Sequence, residues 1–347
     1  MNKNGFDVLR LLAALMVTFS HCYPLTGGSD QAEPLFRATG LLTLSHAGLV
    51  IFFAISGYLI AQSWIAHPGL LRYWANRILR IYPGMFVNGV VVLLVLCPLL
   101  AYPPLGLHDL AGVGKDFLKY TLSFSTLHDN HFNVFAALPF KEINGSLWTL
   151  RYELGCYLLL PALVLLHQAI KSRFTIFAIY LLVAALYLTA LLDVVKLPQS
   201  SPVQGFTMGK MLLFLAYFLS GACIRLMQPR LNHILLMAAA LPMLSVIPAF
   251  HAVTGTLLYL SLAWLAVAIG LYLRPIAGRF KYDLSYGIYI YSFPVQQLIL
   301  YKWSGLTPLQ LFALTLPVVL LLAFFSYARV ERKALGLKQR WQAGLSR

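Results

Sequence analysis

RLLAALMVTFSH, residues 10–21, sets an arginine and a histidine at the two ends of ten mostly apolar residues, with Asp7 just ahead. The surrounding run, 6–23, approaches the ~20 residues that a membrane helix needs. Lys3 ahead of an apolar run resembles a signal peptide. Against that, Asp7 and Arg10 intrude, no A-x-A site follows, and His21 would stand beside any cut. The run is expected to be a retained first span.

The rest of the chain reads the same way. Its 347 residues are 60% hydrophobic and 14% aromatic, and only 11% are charged, where a soluble domain has about 25%. Apolar runs fall near 6–23, 45–66, 82–101, 146–167, 174–192, 208–227, 232–250, 255–273, 284–301 and 308–328. The expected fold is all-α, a polytopic membrane bundle of about ten transmembrane helices with both termini on one side. With that side in the cytoplasm, most of the 26 Lys and Arg residues fall inside, among them Lys3, Arg72, Arg77, Arg80, Lys171, Arg173, Arg225, Arg230, Arg274, Arg279, Lys281 and the tail. The positive-inside rule then orients the chain N-in and C-in and accounts for the net charge of +15 without nucleic acid. The long connection 102–145 lies outside, and its segment DFLKYTLSFSTL reads as an interfacial helix. Residues 1–330 form one membrane domain and 331–347 a basic cytoplasmic tail, with no appended soluble domain.

Three clusters stand out against the apolar background. Arg10 and His21 are eleven residues apart, about three helical turns, so they share one face roughly 16 Å apart along the axis. Ionisable groups at membrane depth usually line a site or pathway; snorkelling for Arg10 and an interfacial hydrogen bond for His21 are the plainer alternatives. In RYWANRILRIYP (72–83), Arg77 and Arg80 sit three apart on one face. They form a guanidinium fork suited to phosphate, or only the topogenic charge, and Pro83 is expected to open the next span. In NGSLWTLRYELGCY (144–157), Glu153 lies about two turns inside an apolar helix. It must be paired, protonated or functional: Tyr157 at i+4 can reach it, and an ion pair with another helix such as that of Arg10 would also satisfy it.

Other signals are weaker. Ser56 and Gly57 in FFAISGYLIAQSW read as a close helix contact. His128 and His131 have a possible metal spacing without further ligands, so no metal is expected. Lys210, Asp193 and His251 read as interfacial. Cys22, Cys97, Cys156 and Cys223 show no metal spacing and read as inert packing.

In order, these pieces resemble the acyltransferase family 3 of integral membrane acyltransferases. FDVLRLLAALMVTFSH is similar to the family's arginine–ten residues–histidine opening, GLVIFFAISGYLIAQSW to its second helix and RYWANRILRIYPGMFV to its RxxR segment. NGSLWTLRYELGCYLLLP resembles its SLWxLxxE helix, FLAYFLSGACI a later span and DLSYGIYIYSFPVQQ the penultimate one. Two departures are visible. Ser292 stands where the family often has a histidine, and Glu331, Arg332 and Lys333 lack the family's closing proline.

The resemblance implies acyl transfer, usually of acetyl, from a cytoplasmic acyl-CoA to a carbohydrate or glycolipid hydroxyl, in a multi-pass protein of the plasma or bacterial inner membrane. Many relatives carry an extra extracytoplasmic esterase-like domain; this chain is expected to act without one. On this reading His21 is the general base, acting with Arg10 and Glu153. Arg77 and Arg80 hold the CoA phosphates, and Trp148 stacks on a sugar. Acetyl-CoA is a donor and not a resident cofactor. A transporter or flippase whose intramembrane charges line a substrate path is the rival, as is an acyltransferase of another acyl group or a non-sugar acceptor.

Overall fold

The computed structural model describes residues 5–101, 104–172, 174–198, 206–273, 282–334 and 336. Among these, all regular structure is helical. Helices stand at each of the ten apolar runs: α1 (Phe6–Leu25), α2 (Leu44–Ala66), α3 (Leu70–Leu100), α5 (Trp148–Ile170), α6 (Thr175–Leu191), α7 (Met208–Met227), α8 (Leu231–Met243), α9 (Thr254–Tyr272), α10 (Ser285–Lys302) and α11 (Pro308–Ser326). A shorter helix, α4 (Leu110–Ser123), occupies the long connection where the interfacial helix is expected. Among the described residues, seven helical stretches are long and apolar enough to cross a membrane, while Thr175–Leu191 and Leu231–Val246 are apolar but shorter. The chain is a polytopic all-α membrane protein. Of the basic residues on which the expected orientation rests, Lys3, Arg173, Arg274, Arg279, Lys281 and the tail beyond Gly336 lie outside the described residues.

Two boundaries differ from the sequence reading. The third span does not begin at Pro83: one helix runs from Leu70 through Leu100 with Pro83 inside it. A proline is tolerated within a membrane helix because neighbouring groups satisfy the carbonyl it strands; further along, the helix passes through a π-helical stretch at Val90–Leu96. The run 232–250, conversely, breaks early. Its helix ends at Met243, just after Pro242, in short 3-10 turns.

The chain forms two compact units. The first comprises Met1–Ala13, Ala38–Leu70 and Leu150–Lys281. Its centre is the crossing of α2 and α7. In lipid there is no hydrophobic drive between helices, so close backbone approach and dispersion decide packing. A methyl group on Gly57 would run into the Phe218 carbonyl, and one on Gly221 into that of Ala54. The rings of Phe53 and Phe214 stack at 4.5 Å beside this crossing. His46 is held by Tyr217 Oη at 3.0 Å and stacked on Tyr259. Ser261 donates to the Ala238 carbonyl and Trp264 to Tyr180, tying α9 to α8 and α6. The start of α1 belongs here too: Gly5 N–H donates to the Gly270 carbonyl at 2.8 Å, and Phe6 meets Tyr58 edge-on.

The second unit comprises Ala14–Arg37, Leu71–Thr149 and Tyr282–Arg347. Helix α10 is buried along most of its length although it carries Ser285, Ser292, Gln296 and Gln297. Each of these makes bonds. Gln297 Nε2 donates to the carbonyls of Phe140 and Glu142, and the Ile290 carbonyl accepts from both Asn88 and Asn144. Asn144 also donates to Tyr120 Oη at 2.9 Å, and Tyr120 donates to Asn88 Oδ1 at 2.5 Å. Burial pushes the Tyr120 phenol far above its ordinary pKa, partly offset by the bond from Asn144, so it acts as a neutral donor. Asp116, buried, accepts from the His131 backbone and ring at 2.9 and 2.8 Å. These bonds close residues 104–145 onto the helices below.

Candidate active site

Helix α1 begins with Asp7 in its first turn, where a carboxylate complements the helix dipole, and runs unbroken past Arg10 and His21. Both are half-buried. His21 Nδ1 is shielded and meets no hydrogen-bond partner among the described residues. Its ring lies edge-on to Phe293, centroids 5.8 Å apart. The next turn down is hydrogen-bonded across the two helices. Thr18 Oγ1 lies 2.7 Å from Ser292 Oγ and donates to the Ala14 carbonyl, while Gln296 Nε2 donates to the Thr18 carbonyl at 2.7 Å and to Cys22 Sγ at 3.1 Å. The imidazole is therefore carried on a rigid wall of α1 and α10. A shielded, unpaired polar nitrogen is costly in a native structure and calls for an explanation.

The ring of Phe293 also covers Gly145, in the turn that opens α5. The start of the NGSLW segment, including half-buried Trp148, thus belongs to the same unit as His21. Tyr289 Oη pins this turn by donating to the Ser146 carbonyl at 2.8 Å and pairing closely with Thr149 Oγ1.

Arg77 and Arg80 lie in this unit on consecutive turns of α3. Arg80 Nη2 meets Asp283 Oδ2 at 2.5 Å, and its guanidinium stands 6.0 Å from the Tyr286 ring centroid. Asp283 also accepts from the backbone and hydroxyl of Ser285, at the start of α10. Arg80 is thus part of a clip between α3 and α10, reinforced by Tyr286 Oη donating to the Ile81 carbonyl.

Arg10 and Glu153 belong to the first unit. Glu153 Oε1 accepts a close bond from Tyr157, the i+4 neighbour, and one of 3.4 Å from Ser56 Oγ. Ser56 is therefore more than a packing residue. His128 and His131 go to separate carboxylates, Glu142 at 3.2 Å and Asp116 at 2.8 Å. Among the described residues no three His, Cys, Asp or Glu side chains gather as a metal site.

Sequence reasoning missed Thr18, Gln296, Phe293 and Asp283. A glutamine pair in an apolar run is a readable signal; Asp283 sits at a helix start, where an acid is unremarkable.

Residues 3–328 match the acyltransferase domain family. An O-acetyl transferase of Shigella phage Sf6 is 30% identical over 351 residues, covering 96% of each chain. Nodulation protein 10 of Rhizobium leguminosarum bv. viciae is 32% identical over 171 residues, 47% of this chain and 44% of its own. No solved structure matches. With the motifs in order and a relative aligned from end to end, the chain belongs to the membrane acyltransferases of family 3 and is an O-acyltransferase.

Proposed function

We propose that this enzyme moves an acetyl group from cytoplasmic acetyl-CoA to a hydroxyl of a cell-surface or exported carbohydrate, in a plasma or bacterial inner membrane. The observation that carries the reading is His21: a half-buried imidazole whose shielded Nδ1 has no hydrogen-bond partner among the described residues, at the end of the family's opening motif. The name of the full-length phage relative, an O-acetyl transferase, supports acetyl as the group moved.

In this mechanism His21 takes the proton of the acceptor hydroxyl as its oxygen attacks the thioester carbonyl. The new C–O bond forms, the C–S bond breaks, and the proton passes to the departing thiolate. A positioned base contributes about 10²–10⁴ in rate. Arg10, on the same helix, guides the thioester arm, and Glu153 supplies a fixed carboxylate. Arg77 and Arg80 meet the CoA phosphates, Arg80 with its orientation set by Asp283, and Trp148 stacks on the sugar. Residues 1–330 form the transferase domain and 331–347 a basic cytoplasmic tail, with both termini inside.

Membranes containing the protein, given radiolabelled acetyl-CoA with extracted glycolipid or polysaccharide, should pass label to the carbohydrate. His21→Ala, inserted at normal levels, should not. Substantial turnover by that variant overturns the base. Label appearing only on lipid or protein overturns the acceptor class. Movement of intact glycan across the membrane without acetylation favours the transport reading.

A further inference from the structure

Helix α3 opens with three arginines, and the mechanism above uses two of them. Arg72 lies in its first turn, with Arg77 and Arg80 further along. All three belong to the second unit. At about 100° per residue they fall within one arc of about 140°, with Arg80 between the others. The buried Tyr73 and Asn76 lie in the same arc, so it faces protein. Leu71 and Ile78, 71% and 48% exposed, mark the opposite side of these turns, each about 100° or more from any of the arginines.

Arg72 is half-buried with its Nε shielded, and it makes no hydrogen bond or ion pair among the described residues. Arg80, by contrast, is committed to Asp283. A cation in the first turn of a helix works against the helix dipole, and no acid stands in that turn to offset it. A purely topogenic charge needs no particular face, and a lipid headgroup is better met from the side of Leu71 and Ile78. The place of Arg72 calls for an anion on the protein side.

Spacing along the axis points to which anion. Arg77 and Arg80 are about 4.5 Å apart along α3, and Arg72 stands about 7.5 Å before Arg77. Coenzyme A carries phosphate at two places on one ribose, the 5′-diphosphate and the 3′-phosphate. From the nucleoside end its order is 3′-phosphate, diphosphate, pantetheine, thioester. With the start of α3 on the cytoplasmic side, the order inward is Arg72, then Arg77 and Arg80.

We infer that Arg72 receives the 3′-phosphate of the acyl donor and leaves the diphosphate to Arg77 and Arg80. It thereby selects acyl-CoA over an acyl group held on the phosphopantetheine of a carrier protein, which lacks that phosphate. The inference rests on the proposed use of acetyl-CoA and on the proposed N-in orientation.

The test compares acetyl-CoA with acetyl-3′-dephospho-CoA as donors for the full chain in membranes. The wild-type KM for the dephospho donor should be about tenfold to a hundredfold higher, the worth of one charge-assisted contact. In Arg72→Gln the ratio of the two KM values should fall toward one. Arg72→Lys should keep part of it, because an ammonium retains the charge without the bidentate fork. Arg77→Ala is the control and should raise both KM values together, leaving the ratio standing. A further measurement needs only wild-type protein purified in detergent: adenosine 3′,5′-bisphosphate should displace radiolabelled acetyl-CoA better than AMP does.

A ratio that Arg72→Gln leaves unchanged overturns the inference, and Arg72 is then a topogenic charge or a headgroup anchor. A bisphosphate no better than AMP overturns it without recourse to any variant. If wild-type protein neither binds acetyl-CoA nor transfers from either donor, the proposed function fails with it. If both donors serve the wild type equally well, acetyl-CoA stands as the donor and only the placement of its 3′-phosphate fails.

Discussion

Ser292 bonds to the Ile288 carbonyl in its own helix and faces the Thr18 hydroxyl of α1 at 2.7 Å. Thr18 keeps its bond to the Ala14 carbonyl without it. Ser292→Ala should therefore retain most acetyl transfer and lower stability by only about 1 kcal/mol. Gln296→Leu is different, because the Thr18 carbonyl loses its side-chain donor and a buried helix loses a cross-link. It should cost about 1–3 kcal/mol and reduce transfer by disturbing the wall that holds His21. Thermal unfolding in detergent and turnover per inserted molecule measure both; a transfer-dead Ser292→Ala would make that position part of the chemistry. His21 and Glu153 can be picked out in the sequence because each is an ionisable residue inside an apolar run. Their surroundings cannot. Thr18 and Ser292 are 274 positions apart, and neither looks unusual in its own helix.

At the scale of elements, the informative case is α3. In sequence, Arg77 and Arg80 read as a cytoplasmic segment ahead of a span, yet they lie on the first turns of one helix, Leu70–Leu100. Pro83 misleads because in water it marks a helix start, whereas the environment of a membrane bundle favours continuing the helix past it. The Arg80–Asp283 clip, about one-fifth exposed on each side, then joins this helix to α10. Exposure discounts such a pair, so Asp283→Asn should cost only about 1–2 kcal/mol, seen as a lower midpoint of thermal unfolding. Its KM for acetyl-CoA should change little. Arg80→Ala should lower stability and also raise that KM. Equal KM effects from the two variants would mean that Arg80 acts only as a structural clip.

For the whole molecule, helix content and the ten helix positions were legible because apolar runs of spanning length leave the backbone few other ways to satisfy its polar groups. The division into two units was not, since α1 gives residues through Ala13 to one and from Ala14 to the other within a single uniform run. The proposed N-in orientation has a direct check. Asp129→Cys and Lys171→Cys are both at exposed positions, and the native thiols are buried. An impermeant maleimide added outside sealed cells should label Asp129→Cys at once and Lys171→Cys only after permeabilisation; the opposite pattern would invert the topology. Length alone makes residues 104–145 look like spare chain, the kind of segment in which lineages gain and lose residues freely. Asn144 limits that freedom. It reaches Tyr120 and the Ile290 carbonyl together, so an inserted residue has to be taken up in the exposed turns between these two anchors. An insertion directly beside Asn144 should lower the midpoint of thermal unfolding, whereas one at Asp129 should leave it nearly unchanged.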